Sequence, residues 1–554
     1  MTLPTADGDT RTAVGLPAQL RTEPSATEFS GASNSRLARA ALLTALLSAA
    51  GALLGLGRDQ SLARLFGAGS ETDAFLVAWT VPEFASTLLI EDGLAFVLVP
   101  AFSAAVACRA QARGTDPVRA LVSSSLPRFG LAFLAAAALL IAGAPFLVHA
   151  LAPGLPDPRL AVDCTRLTAT CALTFGLTGY CSAALRAHGC YVPPAAIYVA
   201  YNIGIIATML VCGTRFGVRS AAMGVAVGGC LMVAIQLPAF HRRLISAKAV
   251  ERLAGEAGDE AAAKGRAMRL GLIAAVLTFA LCKQSQVFIE RFLASSLAAG
   301  SISHLNYAQK VSQLPMVLSL MLCTVTFPVV AQAVARGDIA AARARVERDL
   351  GLAACVVLLG AAAIFACAPQ IIHVLFQRGA FTADDTAATA SVMRVYALGL
   401  LGHSMVGALV RSYFSAGRPT WYPVGAMAVG MGATAGVGSW AVDLWGVRGI
   451  AGANAFGITL TAVLLLAAMD RRGVPVDVSR VLAEMGKPLL AASGATVAGL
   501  MTAACFTSPL AAGAAGCLAV TTVFVLLLWA LRAESLAPLV SVVRSATRRL
   551  RHAR

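Results

Sequence analysis

The chain consists of apolar runs of about 20 residues, each followed by a short polar loop. A helix of that length crosses the hydrocarbon core of a bilayer, where only helices and closed barrels satisfy every backbone polar group. The runs lack the regular alternation of apolar and polar residues that a lipid-facing barrel strand requires. The sequence therefore predicts an all-α membrane protein with about 14 transmembrane helices.

The predicted spans follow one another along almost the whole chain. They cover 37–57, 73–107, 120–152, 163–185, 193–213, 220–240, 270–297, 303–334, 350–374, 387–413, 421–443, 447–469, 486–506 and 513–532.

Composition excludes several classes of function. With 58% hydrophobic and 13% charged residues, the chain is too apolar for a soluble protein of 554 residues. Its net charge of +16 does not indicate a nucleic-acid partner, because Arg and Lys lie at the ends of spans, where membrane lipids are the expected partner. The 13 cysteines show no metal-ligand spacing, and no Gly-rich nucleotide loop is present. We therefore predict a non-enzymatic transporter without a metal or organic cofactor.

Arginine and lysine are concentrated in the loops that follow even-numbered spans. By the positive-inside rule both termini are predicted to be cytoplasmic. Residues 1–35 are then a disordered cytoplasmic leader, 241–269 a basic cytoplasmic loop and 536–554 a basic cytoplasmic tail. The odd-numbered loops carry few cations, chiefly Arg159, Arg166, Arg215, Arg378 and Arg448.

An internal repeat predicts the architecture. Ser70 and Ser301 begin related motifs, and so do Gly189 and Gly417, with nearly equal lengths of chain between the members of each pair. The repeat predicts two six-helix lobes of the same orientation, 36–240 and 270–470, with two further helices in 471–535. Parallel repeats of this kind occur in secondary transporters, with the substrate site between the lobes.

Ionisable residues within or beside the predicted spans are the candidate site residues, because charge in hydrocarbon is costly and usually functional. The stretch from Arg58 to Pro100 contains most of them and is expected to line an aqueous chamber. The candidates are Arg58, Asp59, Arg64, Asp73, Glu91 and Asp92 in this stretch, with Lys283 and Lys310 in the second lobe. Because arginine suits phosphate, the cations among them favour a substrate with an anionic head group.

Some of these residues also have simpler structural interpretations. Arg58 and Asp59 are predicted to form a local ion pair at the end of the first span, and Asp73 could cap the second span. Glu290 and Arg291 would form a structural pair near the end of the seventh span. Lys310 lies well inside its span, so we expect it to share one central cavity with Asp73.

Three stretches resemble the MviN/MurJ family of lipid II flippases, which belongs to the multidrug/oligosaccharidyl-lipid/polysaccharide exporter superfamily. They are RDQSLARLFGAGSETDAFLVAWTVP, GSISHLNYAQKVSQLP with the FP that follows it, and LFQRGAFTADDTAATASVMRVYALGL. The resemblance implies fourteen helices, with two six-helix lobes and a two-helix appendage whose groove takes a polyprenyl tail. It also implies that Arg58, Asp73 and Lys310 are charged cavity residues. Ala52, Ser86 and Thr87 stand where the family has arginines.

The resulting hypothesis is a monomeric flippase of the bacterial cytoplasmic membrane that moves lipid II, an undecaprenyl-pyrophosphate-linked peptidoglycan precursor, by alternating access. Membrane potential or an ion gradient would supply the energy. The alternatives are a flippase for another lipid-linked oligosaccharide of an exopolysaccharide or capsule, and a drug/cation antiporter, which would favour a more acidic chamber. A membrane-embedded glycosyltransferase would need a large external loop, and the predicted external loops are short.

Overall fold

The structure is a computed structural model, and it describes residues 26–91, 93–109, 116–242, 261–319, 336, 338–415, 420–472 and 476–533. All regular elements in this part of the chain are helical. In chain order they are α1 Ala26–Phe66, α2 Ser70–Ala78, α3 Thr80–Ala85, a π-helical segment Ser86–Glu91, α4 Gly93–Cys108, α5 Pro117–Ala142, α6 Ala144–Leu151, α7 Pro158–Ala169, α8 Cys171–Ala187, α9 Val192–Phe216, α10 Arg219–Phe240, α11 Ala261–Ala294, α12 Ser301–Ser312, α13 Ile339–Phe376, α14 Ala383–Ser415, α15 Tyr422–Trp445, α16 Val447–Arg472, α17 Val478–Ala504 and α18 Pro509–Ala530.

Nine helical stretches in the described residues are long and apolar enough to cross a membrane. The prediction of an all-α membrane protein is therefore confirmed, and a total of about 14 spans is consistent with the helix order.

Several helix boundaries follow from local sequence. Pro117, Pro158 and Pro509 each occupy the first helical position, where the missing N–H is not needed. Within the second predicted span, Pro82 lies in the short helix α3, which is followed directly by the π-helical segment. The second span is therefore a broken helix, which changes the direction of its side chains midway.

The first helix is longer than predicted. The sequence predicts a span over 37–57 that follows a disordered leader ending at residue 35, but α1 begins at Ala26, inside the predicted leader. At its other end α1 continues to Phe66, because its buried face continues through Leu62 and Ala63. Arg58 and Asp59 therefore lie inside the helix, and their predicted position at its end is wrong.

Packing divides most of the helices into two groups. Helices α1–α10, here the first lobe, pack mainly on one another, as do α11–α16, here the second lobe. Helices α17 and α18 pack together and against α13. The predicted boundaries of the lobes stay predictions.

The two lobes meet closely at one end of the bundle, here called the closed end and formed by residues 64–73, 295–303 and 377–382. The Ala380 N–H donates to the Arg64 carbonyl at 2.9 Å. A Cβ at Gly379 would lie 2.3 Å from that carbonyl oxygen, and one at Gly300 would lie 2.5 Å from the Ala68 oxygen. Both glycines have positive φ, so the close approach and the turns both depend on the missing side chain.

Several sequence predictions fall outside the described residues. These are most of the leader, most of the basic loop, the basic tail, Asp92, the FP at 327–328 and the repeat landmark Gly417.

Candidate substrate site

Arg58, Asp59 and Lys310 form one charged cluster where α1 of the first lobe meets α12 of the second. The Arg58 guanidinium donates from Nε and Nη2 to Asp59 Oδ1, at 3.0 and 2.7 Å. The Lys310 Nζ lies 3.6 Å from Asp59 Oδ2. Asp59 therefore lies between two cations, and the cluster carries a net positive charge.

Trp79 and Asn202 fix the Arg58 guanidinium. Its central carbon lies 4.2 Å from the centroid of the Trp79 ring, and Nη1 donates to Asn202 Oδ1 at 3.3 Å. The Lys310 Nζ lies 5.7 Å from the same ring centroid. A cation over an aromatic face is stabilised by about 0.5–2 kcal/mol. The positive charge of Arg58 is therefore held in place before any ligand arrives.

Lys310 is the more accessible of the two cations. Its side chain is 29% exposed, against 11% for Arg58 and 9% for Asp59. Most donors of Arg58 are already engaged, whereas the ammonium of Lys310 is only within ion-pair distance of Asp59. An anion that enters between the lobes would therefore contact Lys310 directly, while Arg58 would contribute a fixed positive field.

Asp73 lies apart from this cluster, in the closed end. It is only 4% exposed, and its carboxylate accepts hydrogen bonds from the N–H of Gly300 and the N–H and hydroxyl of Ser303, at 2.7, 2.7 and 2.6 Å. Asp73 therefore caps the start of α12 in the other lobe, whereas the start of its own helix α2 has Gly69 as N-cap. A role in substrate contact stays a prediction, and its observed partners all belong to the lobe junction.

Arg291 makes a second ionic contact between the lobes. Its Nη2 lies 2.9 Å from Glu83 Oε2, and its Nη1 donates to the Thr80 hydroxyl. The Arg291 side chain is 6% exposed, so this pair is largely shielded from solvent. Glu83 belongs to the charged stretch from Arg58 to Pro100 but was not selected as a candidate site residue, although its position after Pro82 in a broken span indicated one.

Glu290 points away from Arg291, into the second lobe. Its carboxylate accepts from the Tyr396 hydroxyl at 2.9 Å and from the Asn454 amide, and Asn454 also contacts His403 at 3.1 Å. The predicted Glu290–Arg291 pair is therefore wrong, because consecutive residues are rotated by about 100° on a helix and face different neighbours.

Glu91 is the last residue of the π-helical segment, near the middle of the broken second span and away from the closed end. Its carboxylate accepts from the Ser86 hydroxyl at 3.0 Å and the Tyr198 hydroxyl at 2.9 Å. The segment that carries Ser86 thus presents hydroxyl and carboxylate groups, and Glu91 is exposed. π-Helical segments occur frequently at functional sites.

The remaining candidates are dispersed. Arg64 is exposed at the closed end, where its carbonyl accepts from Ala380. Lys283 is half-buried on α11. Asp92 lies outside the described residues. Among the candidates that the structure describes, it thus brings together Arg58, Asp59 and Lys310, but not Arg64, Asp73, Glu91 or Lys283.

Comparison with known proteins gives one consistent set of relatives. The family model described as lipid II flippase MurJ matches residues 62–526. The lipid II flippase MurJ of Burkholderia cenocepacia is 27% identical over 450 residues, which cover 78% of this chain and 84% of the relative. A probable lipid II flippase MurJ of Bdellovibrio bacteriovorus is 26% identical, with 82% and 87% covered.

Solved structures show the same fold. A lipid II flippase MurJ in an inward closed conformation superposes with a TM-score of 0.70 at 19% identity, over 88% of this chain and 99% of that one. An inward-facing multidrug resistance MATE family transporter superposes with a TM-score of 0.59 at 16% identity, over 80% and 99%.

Proposed function

Because this chain belongs to the MurJ family of lipid II flippases, whose model matches most of its length, we propose that it moves the peptidoglycan precursor lipid II across the bacterial inner membrane. The proposal includes alternating access of the two lobes and a substrate head group bound between them.

The observation that carries the proposal is the cationic cluster between the lobes. A pyrophosphate needs positive charge in a partly dehydrated site, and Lys310 is both accessible and held beside Arg58. An ammonium is a mobile donor, so it could follow a phosphate group while the lobes move. Asp59 keeps the two cations close when no substrate is bound, since it lies between them.

The contacts at the closed end support alternating access. Asp73 and the Gly379 turn each contact the opposite lobe, and both contacts would have to separate before substrate could leave at this end. Because α1 ends here, cytoplasmic termini would place the closed end on the external side. We propose that orientation, in which the substrate enters from the cytoplasm.

The energy source is part of the same proposal. Transfer of one charge through the whole potential corresponds to about 2.3 kcal/mol per 100 mV. The net positive charge near Lys310 would respond to a potential that is negative inside, which favours return of an empty carrier to the inward-facing state. An ion gradient is the alternative source. We propose that a monomer is sufficient, since both lobes belong to one chain.

One observation favours a second substrate. Ser86 stands where the family has arginine, and it lies within hydrogen-bond distance of Glu91 and Tyr198. This patch is neutral to acidic, so another lipid-linked oligosaccharide with a different head group is the second candidate.

The test is rescue of a bacterium depleted of its own lipid II flippase. We expect the unmodified chain to restore growth, Lys310→Ala and Arg58→Ala to abolish rescue, and Lys310→Arg to retain it because the charge remains. Lys487→Ala is the matched control, since Lys487 pairs with Glu484 on α17, outside the cluster.

Two outcomes of this test would each contradict a different part of the proposal. Full rescue by both alanine variants at normal protein levels would remove the phosphate role of the cluster. Failure of the unmodified chain, when it is present in the membrane, would favour the second substrate.

A further inference from the structure

A cavity of about 570 Å³ opens on the first lobe, away from the Lys310 cluster. Its walls come from the end of α6, the start of α7 and the start of α10. It lies beside the closed end, because the nearby Gly154 N–H donates to Ser295 Oγ of the second lobe at 3.3 Å. Its titratable lining residues are His149, Arg159, Asp163, Arg166 and Arg219, beside an apolar wall that includes Pro145, Val148 and Val162.

Positive charge exceeds negative charge in this cavity. Arg219 donates from Nε and Nη2 to Asp163 Oδ2 at 3.1 and 2.9 Å. The two side chains are 45% and 44% exposed, and such a pair contributes only about 0–1 kcal/mol. Arg159 and Arg166 have no hydrogen-bond or ion-pair partner in the described part of the chain. Two guanidinium groups that have no ion-pair partner among the described residues therefore line the cavity.

The N-terminal ends of two helices add positive partial charge to the cavity. Arg159 and Arg166 lie two turns apart on α7 and so share one face of the helix. Arg219 is the first residue of α10, and Arg159 follows Pro158 at the start of α7, where helix dipoles are positive. The nearby Asp157 is occupied as the N-cap of α7, since its carboxylate accepts from the Leu160 N–H.

The position of these arginines is not explained by membrane topology. Arg159 and Arg166 belong to the few cations of the odd-numbered loops, which the proposed orientation places on the external side, where the positive-inside rule disfavours cations. The fold nevertheless brings them together with Arg219 around one concave surface. A ligand of opposite charge would account for both their presence and their convergence.

We propose that this cavity binds a phosphoryl anion at the membrane surface, either the head group of an anionic phospholipid or a soluble phosphate. Arginine forks match phosphate oxygens, and the volume lies within the range of about 300–1,000 Å³ typical of small-molecule sites. The site is separate from the one that would hold the transported head group, and it does not depend on the proposed substrate.

The test uses the full chain in nanodiscs of zwitterionic lipid with and without phosphatidylglycerol. Native mass spectrometry counts the retained phosphatidylglycerol, and thermal unfolding reports stabilisation. We expect Arg159→Gln/Arg166→Gln to weaken retention about tenfold and to abolish the stabilisation by phosphatidylglycerol. Arg448→Gln is the control, because Arg448 is an exposed arginine outside the cavity, in the second lobe. Arg159→Lys/Arg166→Lys should keep part of the binding, since charge remains without the fork.

A second arm distinguishes the source of the anion. Inorganic phosphate is added to the protein in purely zwitterionic discs. Stabilisation that Arg159→Gln/Arg166→Gln removes would assign a soluble phosphate, whereas a response confined to phosphatidylglycerol would assign the lipid head group. If the double variant and the unmodified chain respond alike to both ligands, the proposal is overturned.

Discussion

Replacement of Asp73 by alanine tests how strongly one side chain holds the closed end together. The carboxylate accepts from the N–H of Gly300, the N–H of Ser303 and the Ser303 hydroxyl. A hydrogen bond to a charged group contributes about 1.5–3 kcal/mol, and a buried donor without a partner costs about 1–3 kcal/mol. We expect Asp73→Ala to destabilise the closed end by about 3 kcal/mol, or about 100-fold in its opening equilibrium.

Hydrogen–deuterium exchange of the peptide that covers 298–312 measures this opening. Exchange at the start of α12 should accelerate about 100-fold in Asp73→Ala and about tenfold in Asp73→Asn, which keeps one acceptor. Glu71→Gln is the control, because Glu71 lies in the same helical turn but is exposed. Exchange in α18 should not change, which separates local opening from unfolding. Unchanged exchange at the start of α12 in a folded Asp73→Ala protein would refute the reasoning.

Two further predictions concern contacts between the two lobes. Arg291→Gln should lower the melting temperature by about 2–4 °C. Glu83→Gln introduced into the Arg291→Gln variant should lower the melting temperature little further, because both changes remove the same contact. Additive losses would contradict the pairing. Gly379→Ala would place a Cβ 2.3 Å from a carbonyl oxygen of α1 at a φ of +65°, so it should abolish rescue of a flippase-depleted strain. Gly425→Ala, whose Cβ would meet nothing within 4 Å, should rescue, and equal rescue by both would argue against a tight junction.

The helices could be predicted from the sequence because their signals are local. An apolar run that spans a bilayer needs about 20 residues, and proline or glycine marks many of its ends. The predicted start of the tenth helical region at 387 and its observed start at Ala383 differ by about one turn of helix. The error at the end of α1 has the same cause, since the charges at Arg58 and Asp59 imitate the end of a span.

The ionic cluster was predictable only in part. Repeat symmetry and depth in the span selected Lys310, and adjacency selected Arg58 with Asp59. Their meeting depends on contacts between residues far apart in sequence, and no local pattern specifies such contacts.

Asp73 shows this division most clearly. Its side chain has the chemistry of an N-cap, and the sequence analysis gave a cap of its own helix as the alternative to a cavity residue. Folding instead placed the carboxylate at the start of α12, 227 residues away along the chain from Asp73 to Gly300, which is more than the length of one predicted lobe. The sequence by itself determined the membrane class, the helices and the supply of charged side chains, since each depends on composition and spacing within one helix. Only the tertiary structure decided which charges meet, because that depends on how the two lobes pack against each other.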